Sequence, residues 1–73
     1  MEIKKQIYNK LKKLTNQKFN DESHIFSIGI DSLDLVELVT EAEDQFEITI
    51  SDDELAAIKT VGDIAKTFEK NKK

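Results

Sequence analysis

Ser32 is the residue of this chain with the most chemical promise. It stands three positions after Gly29, with Asp31 before it and Asp34 shortly after. A serine hydroxyl becomes a catalytic nucleophile only beside a base that a third group orients. His24, the single histidine, is the one candidate base, and no orienting partner accompanies it. In Gly29-Ile30-Asp31-Ser32-Leu33 an Asp occupies the place where a nucleophile elbow requires Ser between two glycines, and Ile30 interrupts a Gly-Asp-Ser-Leu hydrolase pattern. No catalytic residue is expected, the chain is not expected to be an enzyme, and His24 reads as a loop residue. Metal chemistry fares no better. The chain has no Cys for a thiolate zinc site, and its acids do not follow the alternating ligands and central Gly of a calcium loop.

Those residues have to be positioned by very little protein. In a chain of 73 residues, 38% apolar and 36% charged, there is room for a single thin core, so residues 1–73 are expected to form one domain. At this size burial rarely supplies more than ~3–5 kcal/mol net without a disulfide, a metal or very good helix packing. The absence of Cys excludes a disulfide scaffold and a redox dithiol, and suits a reducing compartment. No Pro and only two Gly disfavour a turn-rich sandwich or barrel, which leaves an all-α fold as the expectation. There is no membrane-length apolar run and no secretory signal at the start, so a cytoplasmic protein without membrane insertion is expected.

The net charge of −4 hides a strong asymmetry: residues 1–20 sum to +5, residues 21–58 to −12 with no Lys or Arg, and residues 59–73 to +3. The acidic centre repels a phosphate backbone, which excludes nucleic acid there and favours partners with basic surfaces.

Ile3, Ile7, Leu11 and Leu14 recur at helical spacing and predict a helix over about 3–14. Residues 15–31 lose the period and read as a long loop, pinned to the core by Phe19, Ile25, Phe26 and Ile28. Loops beyond ~12–15 residues are uncommon in compact domains and are usually functional or disordered. A second helix starts at Asp31 or Ser32, either of which is a suitable cap, and runs to about Phe46. Leu35, Leu38, Val39, Ala42 and Phe46 share its core face. Leu33 and Val36 fall on the opposite side among Glu37, Thr40, Glu43, Asp44 and Glu47, an apolar patch with an acidic rim that suggests docking. Ile48-Thr49-Ile50 reads as an extended link, and Ser51 to Glu54 as a capping box opening a short helix of about 52–58. Thr60 to Asp63 repeats that device before Val61, Ile64, Ala65 and Phe68, and the tail from Glu69 to Lys73 is expected to fray.

From about Phe26 to Phe68 the chain resembles the acyl carrier proteins. The likeness is strongest from Gly29 through Asp31-Ser32-Leu33-Asp34 to Val39, which is similar to the family's phosphopantetheine attachment motif and the start of its recognition helix. It extends through Glu43 to Phe46, Ile50 to Glu54 and Thr60-Val61. The resemblance implies a four-helix bundle with three longer helices, a short third helix and a long first loop. It implies that a phosphopantetheinyl transferase, using coenzyme A and a divalent metal, joins a 4'-phosphopantetheine arm to the Ser32 hydroxyl, and that the arm's thiol then carries acyl groups for fatty acid or lipid synthesis. Asp31 and Leu33 are then neighbours of the cofactor, and Asp31 and Asp34 serve as transferase and metal contacts or as guards that keep the arm mobile. Leu33, Asp34, Val36, Glu37, Glu43 and Asp44 are expected to meet fatty acid synthesis or acyltransferase enzymes with basic docking surfaces. Leu38, Val39, Ala42, Phe46 and Ile58 are expected to shelter the acyl chain, and a monomer is expected. The chain departs from the family in Ser27-Ile28, where Asp-Leu is frequent, in Ser51, where Pro is frequent, and in the small Thr40 and Ala42. A carrier of aminoacyl or polyketide units would share the serine chemistry, and an unmodified helical interaction module would share only the fold.

Overall fold

Three helices begin at a side chain that accepts a first-turn backbone N–H. Asp31 takes the N–H of Asp34 at 2.8 Å, Ser51 that of Glu54 at 3.1 Å and Thr60 that of Asp63 at 3.3 Å. The computed structural model describes residues 2–72, with four α-helices: α1 (Glu2–Leu14), α2 (Ser32–Phe46), α3 (Asp52–Ala57) and α4 (Val61–Asn71). This is the expected all-α order of three longer helices, a short third one and a long first connection. Two features were not foreseen in that connection: a 3-10 turn at Ile25–Ile28 and an isolated antiparallel bridge between His24 and Thr60.

α1 packs against both α2 and α4. Ile3, Ile7 and Leu11 meet Leu35, Leu38, Val39 and Ala42 of α2 and Val61, Ile64 and Phe68 of α4 in one core. Phe46 is only half-buried, its ring edge-on to Phe68 at 5.9 Å. The segments outside the α-helices contribute as much as any helix, because Ile25, Ile28, Ile30, Ile48, Ile50 and Ile58 are all buried. A fully buried Ile stabilises by ~1.5–3 kcal/mol relative to an exposed one, so these connections are held by their own side chains.

Three expectations are corrected. Leu14 leaves the core stripe and lines a cleft of about 110 Å³ at the mouth of the α1–α2 groove with Lys10, Lys13, Asp34 and Glu41. Phe26 does not pin the loop: side chains three apart eclipse in a 3-10 turn, so Ile25 and Ile28 turn inward together and Phe26 between them is left 50% exposed. The tail does not fray from Glu69, since α4 continues to Asn71, whose amide donates to Glu54 at 2.7 Å, and Lys70 lies 3.7 Å from the same carboxylate. The expected end of that tail, Lys73, lies outside the described residues.

The long connection is tied to the start of α4 by backbone hydrogen bonds. Val61 donates to the Ser23 carbonyl at 3.0 Å, Gly62 to that of Asp21 at 2.8 Å, and Ile25 to that of Lys59 at 3.0 Å. A β-carbon at Gly62 would stand 3.0 Å from the Asp21 carbonyl oxygen, so this close approach needs glycine. Asp21 also accepts from Lys4 at 2.5 Å and from the Tyr8 hydroxyl, joining α1 to the same point. Hydrogen bonding from Lys4 and then Tyr8 holds the Asp21 carboxyl below its usual range, while burial, aided by Asp21, pushes the Tyr8 phenol up to about 12. A carboxyl whose folded pKa is depressed stabilises the fold above its unfolded value, and that contribution is lost as pH falls through the folded value. Asp21→Asn is therefore expected to melt below the parent near neutral pH, with the gap closing in acid from the ordinary Asp value of 3.8 downward. Thermal melts of the two proteins across that range check it.

Candidate functional site

Ser32 opens α2 as its first helical residue and is exposed. Its flanking geometry begins at Gly29, which ends the 3-10 turn with φ of 86°, a left-handed conformation that strains any residue bearing a β-carbon. The chain then passes the buried Ile30 and reaches Asp31, extended and outside the helix. Of the two caps that the sequence allows, the structure selects Asp31: its carboxylate takes the Asp34 N–H and its carbonyl takes the Leu35 N–H at 3.0 Å. Ser32 is released from capping, and its hydroxyl has no hydrogen-bond partner among the described residues. The backbone N–H groups of Ser32 and Leu33 are likewise unpaired there, as the first turn of a helix dictates unless a loop or ligand supplies acceptors. The equivalent donors of α4, on Val61 and Gly62, are taken by loop carbonyls.

Beside Ser32 lies an open cleft of about 490 Å³, walled by Phe26, Gly29, Ile30, Asp31 and Ser32 itself. Phe26 and Ile30 are the site neighbours that sequence reasoning missed. The signal for Phe26 was present in principle, as the residue between two isoleucines three apart, but it needed the 3-10 geometry to be read. His24 is not among the residues that wall this cleft with Ser32: it precedes the 3-10 turn, its backbone bridges to Thr60, and its ring lies 6.1 Å from that of Phe26.

The outer face of α2 carries Leu33, 67% exposed, and Val36, 43% exposed, with the exposed Glu37, Thr40, Asp44 and Glu47 around them. Two acids of the expected rim sit differently. Asp34 is half-buried toward the α1–α2 groove, in the cleft shared with Lys10 and Lys13. Glu43 is partly buried and accepts the Ile50 N–H at 2.7 Å, so it fastens the link between α2 and α3. Leu38, Val39, Ala42 and Ile58 are buried together in the core, with Phe46 at its edge. Among the described residues no group of three or more His, Asp and Glu is placed to hold a metal ion, and no helix is long and apolar enough to cross a membrane.

Residues 5–68 match a family described as "Phosphopantetheine attachment site". Across 73 residues the chain is 51% identical to an acyl carrier protein homolog of Mycoplasmopsis pulmonis, spanning 100% of both chains. It is 41% identical to an acyl carrier protein of Exiguobacterium sibiricum, over 94% of this chain and 87% of that one. The fold is similar to the crystal structure of an acyl carrier protein from Thermotoga maritima, with a TM-score of 0.79 and 28% identity over 97% of this chain and 91% of that one.

The division of labour between Asp31 and Ser32 is open to a direct check. Asp31→Ala leaves the Asp34 N–H without its acceptor and is expected to cost about 1 kcal/mol, whereas Asp31→Asn, which keeps a capping oxygen, is expected to cost much less. Urea unfolding of the three proteins measures both differences.

Proposed function

The chain belongs to the acyl carrier protein family, and on that premise we propose that Ser32 is the residue to which the 4'-phosphopantetheine arm is esterified. The observation that carries the proposal is the free, exposed hydroxyl at the first position of α2, with capping left to Asp31. The residues fit the group. The Ser32 oxygen forms the phosphodiester by losing its proton and displacing adenosine 3',5'-bisphosphate from coenzyme A, the unpaired N–H groups of Ser32 and Leu33 suit phosphate oxygens, and the helix dipole favours negative charge at this end. When bound, the arm supplies the thiol on which acyl groups ride as thioesters, a function that a chain without Cys cannot provide for itself. Asp31 and Asp34 have the same sign as the phosphate, so their carboxylates are read as contacts for the transferase and its divalent metal.

The role that follows is that of a carrier handed between enzymes of fatty acid and lipid synthesis, a cytoplasmic monomer rather than a catalyst. Leu33 and Val36 serve as apolar anchors on the partner's surface, while Glu37 and Asp44 attract its basic groups. Leu38, Val39, Ala42, Phe46 and Ile58 shelter the acyl chain. Because four of the five are buried in a continuous core, the cargo has to part α2 from its neighbours, and the area it buries, at ~25 cal/mol per Å², offsets the contacts that it displaces.

Two outcomes are expected. Incubation with coenzyme A and a phosphopantetheinyl transferase adds one arm to the parent and none to Ser32→Ala, as read by intact mass; a modified alanine protein would show that another residue takes the arm. Glu37→Lys slows association with a basic partner synthase about tenfold at low salt with little change in dissociation, since charges outside the apolar centre act mainly on encounter. Stopped-flow association at two ionic strengths measures this, and the parent's rate should fall as salt rises.

A further inference from the structure

We infer that the arm, once joined to Ser32, rests folded back on the ring of Phe26, in the cleft formed by Phe26, Gly29, Ile30 and Asp31. The inference rests on Ser32 being the attachment residue. Ser32 is itself a wall of the cleft, so a group esterified to its Oγ starts at the cleft's edge. Another of its walls is Phe26, which the fold leaves half exposed. The backbone that carries the Phe26 ring is held in place, because Ile25 and Ile28 in the same turn are buried at 0% and 5%, and the His24 ring lies 6.1 Å from it. Gly29 adds no side chain to fill the space between, and Ile30 has its side chain in the core.

The ligand chemistry matches this division. Between its phosphate and its thiol, pantetheine is uncharged, with a gem-dimethyl carbon and two amides. The methyl groups suit the aromatic face, and the amides remain hydrated at the open side. The phosphate is repelled by Asp31 and Asp34, so it stays at the solvent edge, against the helix N–H groups, while the neutral segment takes the apolar wall. The covalent tether gives the arm an effective concentration on the order of millimolar or more at this surface, so even a weak contact is populated. Leu33, on the docking face, stays free for a partner.

The test uses the holo protein, prepared with coenzyme A and a transferase and confirmed by intact mass, alongside holo Phe26→Ser and, at an exposed apolar residue of α1, holo Leu14→Ser. In NMR spectra, nuclear Overhauser cross-peaks are expected from the gem-dimethyl protons to the Phe26 ring. An upfield shift of those methyls should be lost in Phe26→Ser and kept in Leu14→Ser. If Phe26→Ser disturbs the apo spectrum beyond its neighbours, the cross-peaks in the parent protein decide alone. Methyl shifts indifferent to Phe26, or cross-peaks only to residues that do not line this cleft, overturn the resting place and leave Ser32 as the attachment residue. Loading of Ser32→Ala overturns the attachment itself, and this inference with it.

Discussion

Between α1 and α2 the chain runs through residues 15–31 without an α-helix, and the position of Ser32 depends on how that connection is held to α4. The ties are reciprocal. The first N–H groups of α4 lack intrahelical acceptors, and the carbonyls of Ser23 and Asp21 lack strand or helix partners, so each satisfies the other. Gly62 permits the approach, and Tyr8 and Lys4 close on Asp21 from α1. With the first half of the connection fastened, the 3-10 turn buries Ile25 and Ile28, the Thr15 hydroxyl donates to the Ile28 carbonyl at 2.5 Å, and Gly29 turns the chain toward α2. A loop of this length therefore delivers Ser32 to a defined place, where its hydroxyl faces solvent from a rigid helix.

The distribution of charge is resolved by the same packing. The acidic block of residues 21–58 contains no cation of its own, yet Asp21, Glu41 and Glu54 are paired with Lys4, Lys10 and Lys70 from the two basic ends of the chain. Three of the charges behind the sum of −12 are thus compensated from outside the block: folding neutralises them in place and leaves the α2 face acidic. Exposed pairs of this kind contribute little stability individually. Their effect lies in where charge remains, around the exposed Leu33 and Val36.

Much of this was legible in the linear chain. The helical spacing of Ile3, Ile7 and Leu11, of Leu35, Leu38, Val39 and Ala42, and of Val61, Ile64 and Phe68 specifies three helices and their inward faces, because a 3.6-residue period has one apolar solution. Ser51 and Thr60, each followed three residues later by an acid, announce the last two helices through local hydrogen bonds that need no tertiary partner. The stretch from Gly29 to Val39 likewise marks Ser32 by residue type and order alone.

Other features needed the third dimension. Asp31 and Ser32 are both competent caps, and the choice between them depends on the backbone angle at which the chain leaves Gly29. Whether Phe26 anchors the loop or stands in solvent depends on the 3-10 turn, which forms only once Ile25 and Ile28 have a core to enter. Glu43 belongs to the acidic face by periodicity but is turned to the Ile50 N–H, because a backbone donor beside a buried link must be satisfied. Sequence by itself determined which elements form and which serine is the candidate for attachment, since spacing, capping and motif order are local properties. Tertiary structure decided which of the remaining polar and aromatic groups stay available, since that depends on partners brought in from distant parts of the chain.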